Sequence, residues 1–297
     1  MASTPRRVEH LQTDKGHVPV YTTAIVSQPW DSYSAADHAT WGTLYRRQRE
    51  LLIGRACDEF LAAQDAMGMG EEQIPRFDAL NRVLQAATGW TLIGVEGLLP
   101  ELDFFEHLAN RRFPVTWWIR RPEQIDYIAE PDLFHDLFGH VPLLMDPRFA
   151  DYMQAYGAGG VRAHRQFGEQ ALQNLTRLYW YTVEFGLIDT PAGLRIYGAG
   201  IVSSAGESIH SLESAAPNRI GFDLERIMRT RYRIDSFQKT YFVIDSFEQL
   251  MAATAADFAP VYARLADAPA IAAGEVLAGD RVFQRGSGEG WLADGDV

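Results

Sequence analysis

The chain has 297 residues, 47% of them hydrophobic and 22% charged, enough to bury a large core without covalent staples. Its 27 lysines and arginines face 39 aspartates and glutamates, a net charge of −12 with no basic block, which argues against nucleic acid and anionic membranes as partners. The one cysteine, Cys57, excludes an intrachain disulfide and a thiolate-built metal site, and it suits a reducing cytoplasm. Met1 to Arg7 lead into no apolar signal region, and no apolar run reaches the ~20 residues of a membrane span.

Residues 1–30 are polar and aperiodic and read as a flexible arm. Ser34 with Asp37 marks a helix start, and Trp41, Leu44, Tyr45, Gln48, Leu51 and Leu52 then keep a 3.6-residue stripe. Cys57 falls in a second helical stretch, Ala56 to Met67, and reads as a packed thiol rather than a nucleophile. A third helix, Phe77 to Thr88, is closed by Gly89. Arg112 to Arg120 reads as a short strand that Pro114 places at an edge. Asp146-Pro147 predicts a helix through Tyr156, stopped at Gly157, and a longer one is expected from Gln170 to Phe185. Arg195 to Tyr197 and Tyr241 to Ile244 are expected strands, and Ser246 with Gln249 opens a last helix. From Pro269 the chain turns to Ala, Gly and Asp and predicts a flexible tail. The fold class expected is mainly α with a few short strands (α+β), as a single domain over residues 31–268 between loose ends at 1–30 and 269–297.

Chemistry concentrates in Glu130-Pro131-Asp132-Leu133-Phe134-His135-Asp136-Leu137-Phe138-Gly139-His140. On a straight α-helix five residues turn the side chain by about 500°, or about 140° net, so His135 and His140 would not share a face. Gly139 suggests a helix terminus, a left-handed turn that swings His140 back toward His135. The spacing differs from the H-E-x-x-H zinc protease pattern. Two hydrogen-bonded core histidines satisfy the same pattern and stay open as a reading. Glu184 is the one charged residue in Leu178 to Gly186, and a buried carboxylate there needs a cation, either a metal shared with the histidines or Arg177. Two imidazoles and one carboxylate leave three positions open, the pattern of non-haem iron(II) oxygenases. A closed zinc site would need a fourth protein ligand. A metal-dependent hydrolase built on the same triad is the alternative class.

Pro131-Asp132 before His135 and His140, Tyr179-Trp180 before Glu184, and Tyr197-Gly198-Ala199-Gly200 stand in an order that resembles the pterin-dependent aromatic amino acid hydroxylases. The resemblance runs from about Trp30 to Tyr262, and within the family it is strongest to short bacterial members that act on phenylalanine. It implies that family's catalytic fold and a monooxygenase of phenylalanine catabolism. Such an enzyme converts L-phenylalanine to L-tyrosine with O2 and tetrahydrobiopterin, or a related tetrahydropterin, at Fe(II). Tryptophan or tyrosine as substrate is the alternative within the family.

By the same resemblance His135, His140 and Glu184 ligate iron, and no separate protein acid or base is assigned. Gly97, Leu98 and Leu99 would read the pterin's polar edge, Phe104 would stack on its ring, and Asp136 and Tyr179 would lie near it. Arg120, held by Asp132, would clamp the substrate carboxylate. Trp180, Phe185 and His135 would wall the substrate ring, with Gly200 and Ser203 at its border. Ser203 and Glu207 would support an iron-bound histidine from behind. Animal members carry Glu at the place of Asp136 and Thr-Pro at the place of Ile128-Ala129, so those two contacts are expected to differ. With no regulatory region ahead and no leucine-heptad tail behind, a monomer is expected.

Overall fold

Ser34 and Asp37 form the reciprocal cap that their spacing predicts, and they open α1 (Ala35–Leu52), whose Trp41, Leu44, Tyr45, Gln48 and Leu52 are buried. The computed structural model describes residues 23–291 except 127, 129 and 256. The expected arm therefore lies largely outside the described residues, although Ile25–Val26 within it form β1. After α1 come α2 (Asp58–Ala66) and α3 (Phe77–Ala87), the latter followed by Gly89 in the left-handed region, φ 77°. Cys57 precedes α2 fully buried, and burial pushes its thiol up to about 12, in keeping with a packed side chain.

β2 (Thr91–Val95) and β3 (Arg112–Thr116) run parallel, with β1 antiparallel on the other side of β2, so Pro114 sits on an edge strand. The strand expected to reach Arg120 ends at Thr116. The parallel crossover between β2 and β3 is α4 (Glu101–Ala109), a helix whose existence sequence pattern alone did not signal.

α4 packs against α5 (Pro147–Gln166), and here the sequence expectation fails. Asp146 caps α5 as predicted, but the helix does not stop at Gly157; it runs through Gly157 and Gly160 to Gln166. A Cβ on Gly157 would lie 2.5 Å from the Leu108 Cβ, and one on Gly160 would enter the Phe105 ring. Both glycines are contact points that let two helix backbones approach, not terminators.

α6 (Glu169–Tyr179) leads into the second sheet, made of β4 (Gly186–Thr190), β5 (Gly193–Ile196), β6 (Asn218–Gly221), β7 (Thr240–Ile244) and β8 (Val282–Gln284) in the order β5-β4-β7-β6-β8. The three central strands are mutually parallel, and every residue of β6 and β7 is buried, as expected of parallel strands covered on both faces. Short helices α7 (Ala199–Val202), α8 (Ala205–Glu213) and α9 (Leu224–Arg229) connect β5 to β6 and β6 to β7. α10 (Phe247–Ala255), capped by Ser246, and α11 (Ala259–Leu265) follow. Among the described residues no helix is long and apolar enough to cross a membrane.

Residues 269–291 do not fray. β8 joins the sheet beside β6, Ile271 bridges Thr230, and Asp280 forms a buried ion pair with Arg226 at 3.0 Å. Arg226 also donates to the Glu275 carbonyl at 2.5 Å. The segment has no apolar period for a sequence reading to find, because it is fastened by hydrogen bonds and by two charge pairs, Arg226–Asp280 and Arg281–Asp245. Removing one partner of the buried Arg226–Asp280 pair strands the other in a dry site, at a cost of about 3–5 kcal/mol. Asp280→Ala is therefore expected to lower the urea midpoint strongly, and limited proteolysis should cut first within residues 269–291.

Candidate metal centre

His135–His140 forms a π-helical turn, in which the backbone bonds i to i+5. Five residues are then about one turn, and the two imidazoles that an α-helix would separate face each other, with Nε2 atoms 3.0 Å apart. The left-handed terminus expected at Gly139 is not there; Gly139 has no positive φ. It is glycine because α7 crosses at that point, where an added Cβ would lie 2.9 Å from the Ala199 carbonyl oxygen.

The third group arrives the same way. α6 passes into a second π-turn, Trp180–Glu184, marked by the Phe185 N–H donating to the Trp180 carbonyl at 2.8 Å. Glu184 Oε1 lies 3.1 Å from His140 Nε2 and its Oε2 lies 3.6 Å from His135 Nε2. Arg177, the alternative cation, points elsewhere and reaches the Met228 carbonyl at 3.4 Å.

The hydrogen bonds behind His135 decide its tautomer. The Ser203 hydroxyl donates its only proton to the Ala199 carbonyl at 2.7 Å, so toward His135 Nδ1, at 2.9 Å, it can only accept. Nδ1 therefore carries the proton and Nε2 turns a lone pair into the cluster. Burial holds the His135 imidazolium down to about 4 against the opposing charge of Glu184. Burial would also lower His140 and raise Glu184, but their mutual attraction outweighs it, and His140 shifts up while Glu184 shifts down. Two imidazole nitrogens and a carboxylate thus surround one point where a divalent cation could sit. That donor set fits such a metal.

Asp136 also comes within 4.8 Å of both histidines. Its Oδ2 is committed to the Thr116 N–H at 2.7 Å, and burial pushes its carboxyl up to about 7. Glu184, with one oxygen toward each Nε2, is the better third donor.

The Phe104 ring meets Tyr179 edge-on at 5.7 Å, and Tyr179 lies 6.2 Å from the His140 ring. Gly97 to Leu99 follow the C-terminal end of β2, beside the end of β3 that anchors Asp136. Arg120 binds Asp132 through Nε and Nη2, at 2.9 and 2.8 Å, and keeps its Nη1 edge for another acceptor. Trp180 packs on Phe185 at 4.7 Å, and a Cβ on Gly200 would come within 2.8 Å of the Phe185 ring. Of Ile128-Ala129, Ala129 lies outside the described residues.

One expectation is corrected. Glu207 does not support a histidine; its Oε1 accepts from the Tyr241 hydroxyl and from the Gln238 N–H at 3.2 Å. Ser204 caps α8 by accepting from the Glu207 N–H, and the Glu207 side chain reaches Tyr241 on β7. Two neighbours of the site escaped the sequence reading. Tyr232 stacks on Trp180 at 4.2 Å, and Gln238 accepts from the Trp180 indole N–H at 3.0 Å. Both lie between α9 and β7 in a stretch with no periodicity to single them out.

Residues 26–264 match the family model for biopterin-dependent aromatic amino acid hydroxylases. The chain is 64% identical over 272 residues to a phenylalanine-4-hydroxylase of Ralstonia nicotianae, covering 92% of this chain and 86% of that one. It is 63% identical over 270 residues to the phenylalanine-4-hydroxylase of Chromobacterium violaceum, covering 91% and 90%. The crystal structure of the C. violaceum enzyme with bound oxidized Fe(III) superposes with a TM-score of 0.85 at 64% identity, covering 87% of this chain and 93% of that one. A cobalt-bound structure of that enzyme gives 0.86 at 62% identity, covering 89% and 95%.

The Ser203 bond yields a prediction. Losing a partner that fixes a ligating histidine typically costs about 10- to 100-fold in metal affinity. Ser203→Ala should show a loss of that size in a chelator competition titration, with little change in unfolding temperature for the metal-free protein.

Proposed function

This chain belongs to the biopterin-dependent aromatic amino acid hydroxylases, and on that premise we propose that it hydroxylates L-phenylalanine to L-tyrosine, using O2 and a tetrahydropterin. The observation that carries the reading is the convergence of His135 Nε2, His140 Nε2 and the Glu184 carboxylate within 3.6 Å. His135, His140 and Glu184 are proposed to hold iron(II). Gly97 to Leu99, Phe104, Asp136 and Tyr179 are proposed to hold tetrahydrobiopterin or a related tetrahydropterin. Together these two groups supply, when bound, the activation of dioxygen for attack on an aromatic ring.

The protein's own contribution is placement and exclusion of water. Arg120 is suited to a substrate carboxylate because Asp132 fixes its plane and leaves one edge of the guanidinium fork to bind a planar anion. Trp180 and Phe185 offer an apolar wall for the substrate ring beside Glu184, and Gly200 admits Phe185 by lacking a Cβ. Ser203 keeps His135 in the tautomer a metal requires. Asp136 is held by β3 at the edge of the histidine pair, so its reach toward a pterin is through a bridging water rather than direct. A metal-dependent hydrolase is disfavoured by family membership. Tryptophan and tyrosine are the competing substrates, and the high identity to phenylalanine-4-hydroxylases supports phenylalanine. The proposal includes a monomeric, cytoplasmic enzyme.

The test uses iron(II)-loaded protein with tetrahydropterin, oxygen and each aromatic amino acid in turn, followed by product identification; phenylalanine should give tyrosine fastest. His135→Ala and Glu184→Ala should bring iron content and tyrosine formation to background while unfolding remains cooperative. Iron-dependent turnover retained in either variant would overturn the ligand assignment. Arg120→Lys keeps the charge but not the fork. It should raise the KM for phenylalanine about 10- to 100-fold, the equivalent of one charge-assisted hydrogen bond.

A further inference from the structure

The wall beside Glu184 is itself held by a buried polar network that the proposed chemistry does not use. Gln238 is 2% exposed and has no role in the metal cluster. Its side-chain oxygen accepts from the Trp180 indole N–H at 3.0 Å, and its side-chain nitrogen donates to the Arg233 carbonyl at 2.9 Å. These partners fix the amide's sense: turned over, it would set N–H against N–H at Trp180 and oxygen against oxygen at Arg233. The Gln238 backbone N–H is tied in turn to Glu207 Oε1 at 3.2 Å. Glu207, 6% exposed, is clamped by the Tyr241 hydroxyl on β7. A rigid strand therefore holds Glu207, Glu207 holds the Gln238 backbone, and the Gln238 amide sets the indole edge.

Among the described residues the indole's ring contacts are Tyr232, stacked at 4.2 Å, and Phe185, tilted at 4.7 Å. Offset stacking permits a ring to slide and turn in its plane, whereas a hydrogen bond at Nε1 defines the in-plane angle. We infer that Gln238 is a positioning residue for the aromatic substrate: by fixing the angle of Trp180 it aims the substrate ring at the metal side of the pocket. The inference rests on the hydroxylase reading. A substrate ring held at the wrong angle leaves pterin oxidation possible while product formation fails, so the property at stake is coupling, the tyrosine formed per tetrahydropterin oxidised.

The experiment compares wild type, Gln238→Met, Gln238→Glu, Trp180→Phe and the double variant Gln238→Met/Trp180→Phe, all iron-loaded. Gln238→Met keeps the volume and removes the acceptor. Coupling should fall roughly two- to tenfold, the worth of one hydrogen bond, while the rate of tetrahydropterin oxidation stays within twofold. Gln238→Glu, which burial would keep protonated, has an acceptor for the indole and an O–H donor for the Arg233 carbonyl, and should restore most of the coupling. In the double variant the Gln238 substitution should add nothing to Trp180→Phe, because the bond is already gone.

A second readout is independent of turnover. The indole N–H resonance of Trp180, assigned by its disappearance in Trp180→Phe, should be protected from solvent exchange in wild type and lose that protection in Gln238→Met. Unchanged coupling in Gln238→Met, additive effects in the double variant, or an unprotected wild-type indole each overturn the inference. Should Gln238→Met not fold, Gln238→Glu and the wild-type exchange rate decide it. Failure of the hydroxylase reading shows separately, as wild-type protein that makes no tyrosine at all.

Discussion

The Asp132 carboxylate is wholly buried, and its two oxygens receive four N–H groups from two segments of the chain. Oδ1 takes Arg120 Nη2 and the backbone of His135; Oδ2 takes the backbone and Nε of Arg120. A charge in so dry a place is tolerable only when each lone pair is met, and here Arg120 supplies both the countercharge and three of the four donors. The consequence is geometric. The turn that presents His135 starts where Asp132 sits, and the guanidinium edge offered to a carboxylate is set by the same group. The distance between the proposed metal site and the proposed anion clamp is therefore a property of one buried ion pair. Neither end can move without leaving part of Asp132 unsatisfied.

The two π-turns solve a second problem with the same economy. A π-turn is rare and loosely bonded, and it persists where neighbouring structure makes it the best available arrangement. At His135–His140 the neighbours are Asp132 at the start and α7 across the middle, which approaches so closely that position 139 admits no Cβ. At Trp180–Glu184 the neighbour is β4, which begins at Gly186; that glycine accepts Tyr197 and Gly198 N–H groups on its carbonyl. The first turn lets two side chains that α-helical spacing would splay converge on one point, and the second brings Glu184 to them. The cost is local, and the stiff sheet and helices around it meet that cost.

How much of this could be read from the sequence follows from what kind of signal each feature leaves. Ser34 with Asp37, Asp146-Pro147 and Ser246 with Gln249 mark their helix starts because a cap is a local bond between near neighbours. The histidines and Glu184 stood out because charge and imidazole are conspicuous in apolar stretches. Their convergence was legible, but the means was not: a π-turn has no residue signature, and Gly139 invited a left-handed turn that the structure does not contain. Gly157 misled for the same reason, since a glycine required by a neighbouring helix looks identical to one required by φ. Glu207, Gln238 and Asp280 act through partners tens of residues away, and no periodicity reports that.

Tyr179 and Trp180 are consecutive, yet they pack into different groups of rings. Tyr179 packs on Phe104, Tyr156 and the His140 ring; Trp180 packs on Phe185 and Tyr232. The boundary between them is also where α6 gives way to the π-turn that carries Glu184. Successive helical side chains diverge by about 100°, so a helix passing between two compartments necessarily lends adjacent residues to each. What the π-turn adds is the return: five residues after the helix commits Tyr179 to the proposed pterin side, Glu184 comes back to the midline between the two. Straightening 180–184 to α-helical spacing with all its residues kept would rotate Glu184 away from both Nε2 atoms. The same change would leave Tyr179 on its face. The place of the proposed third metal donor thus follows from one π-turn in one helix.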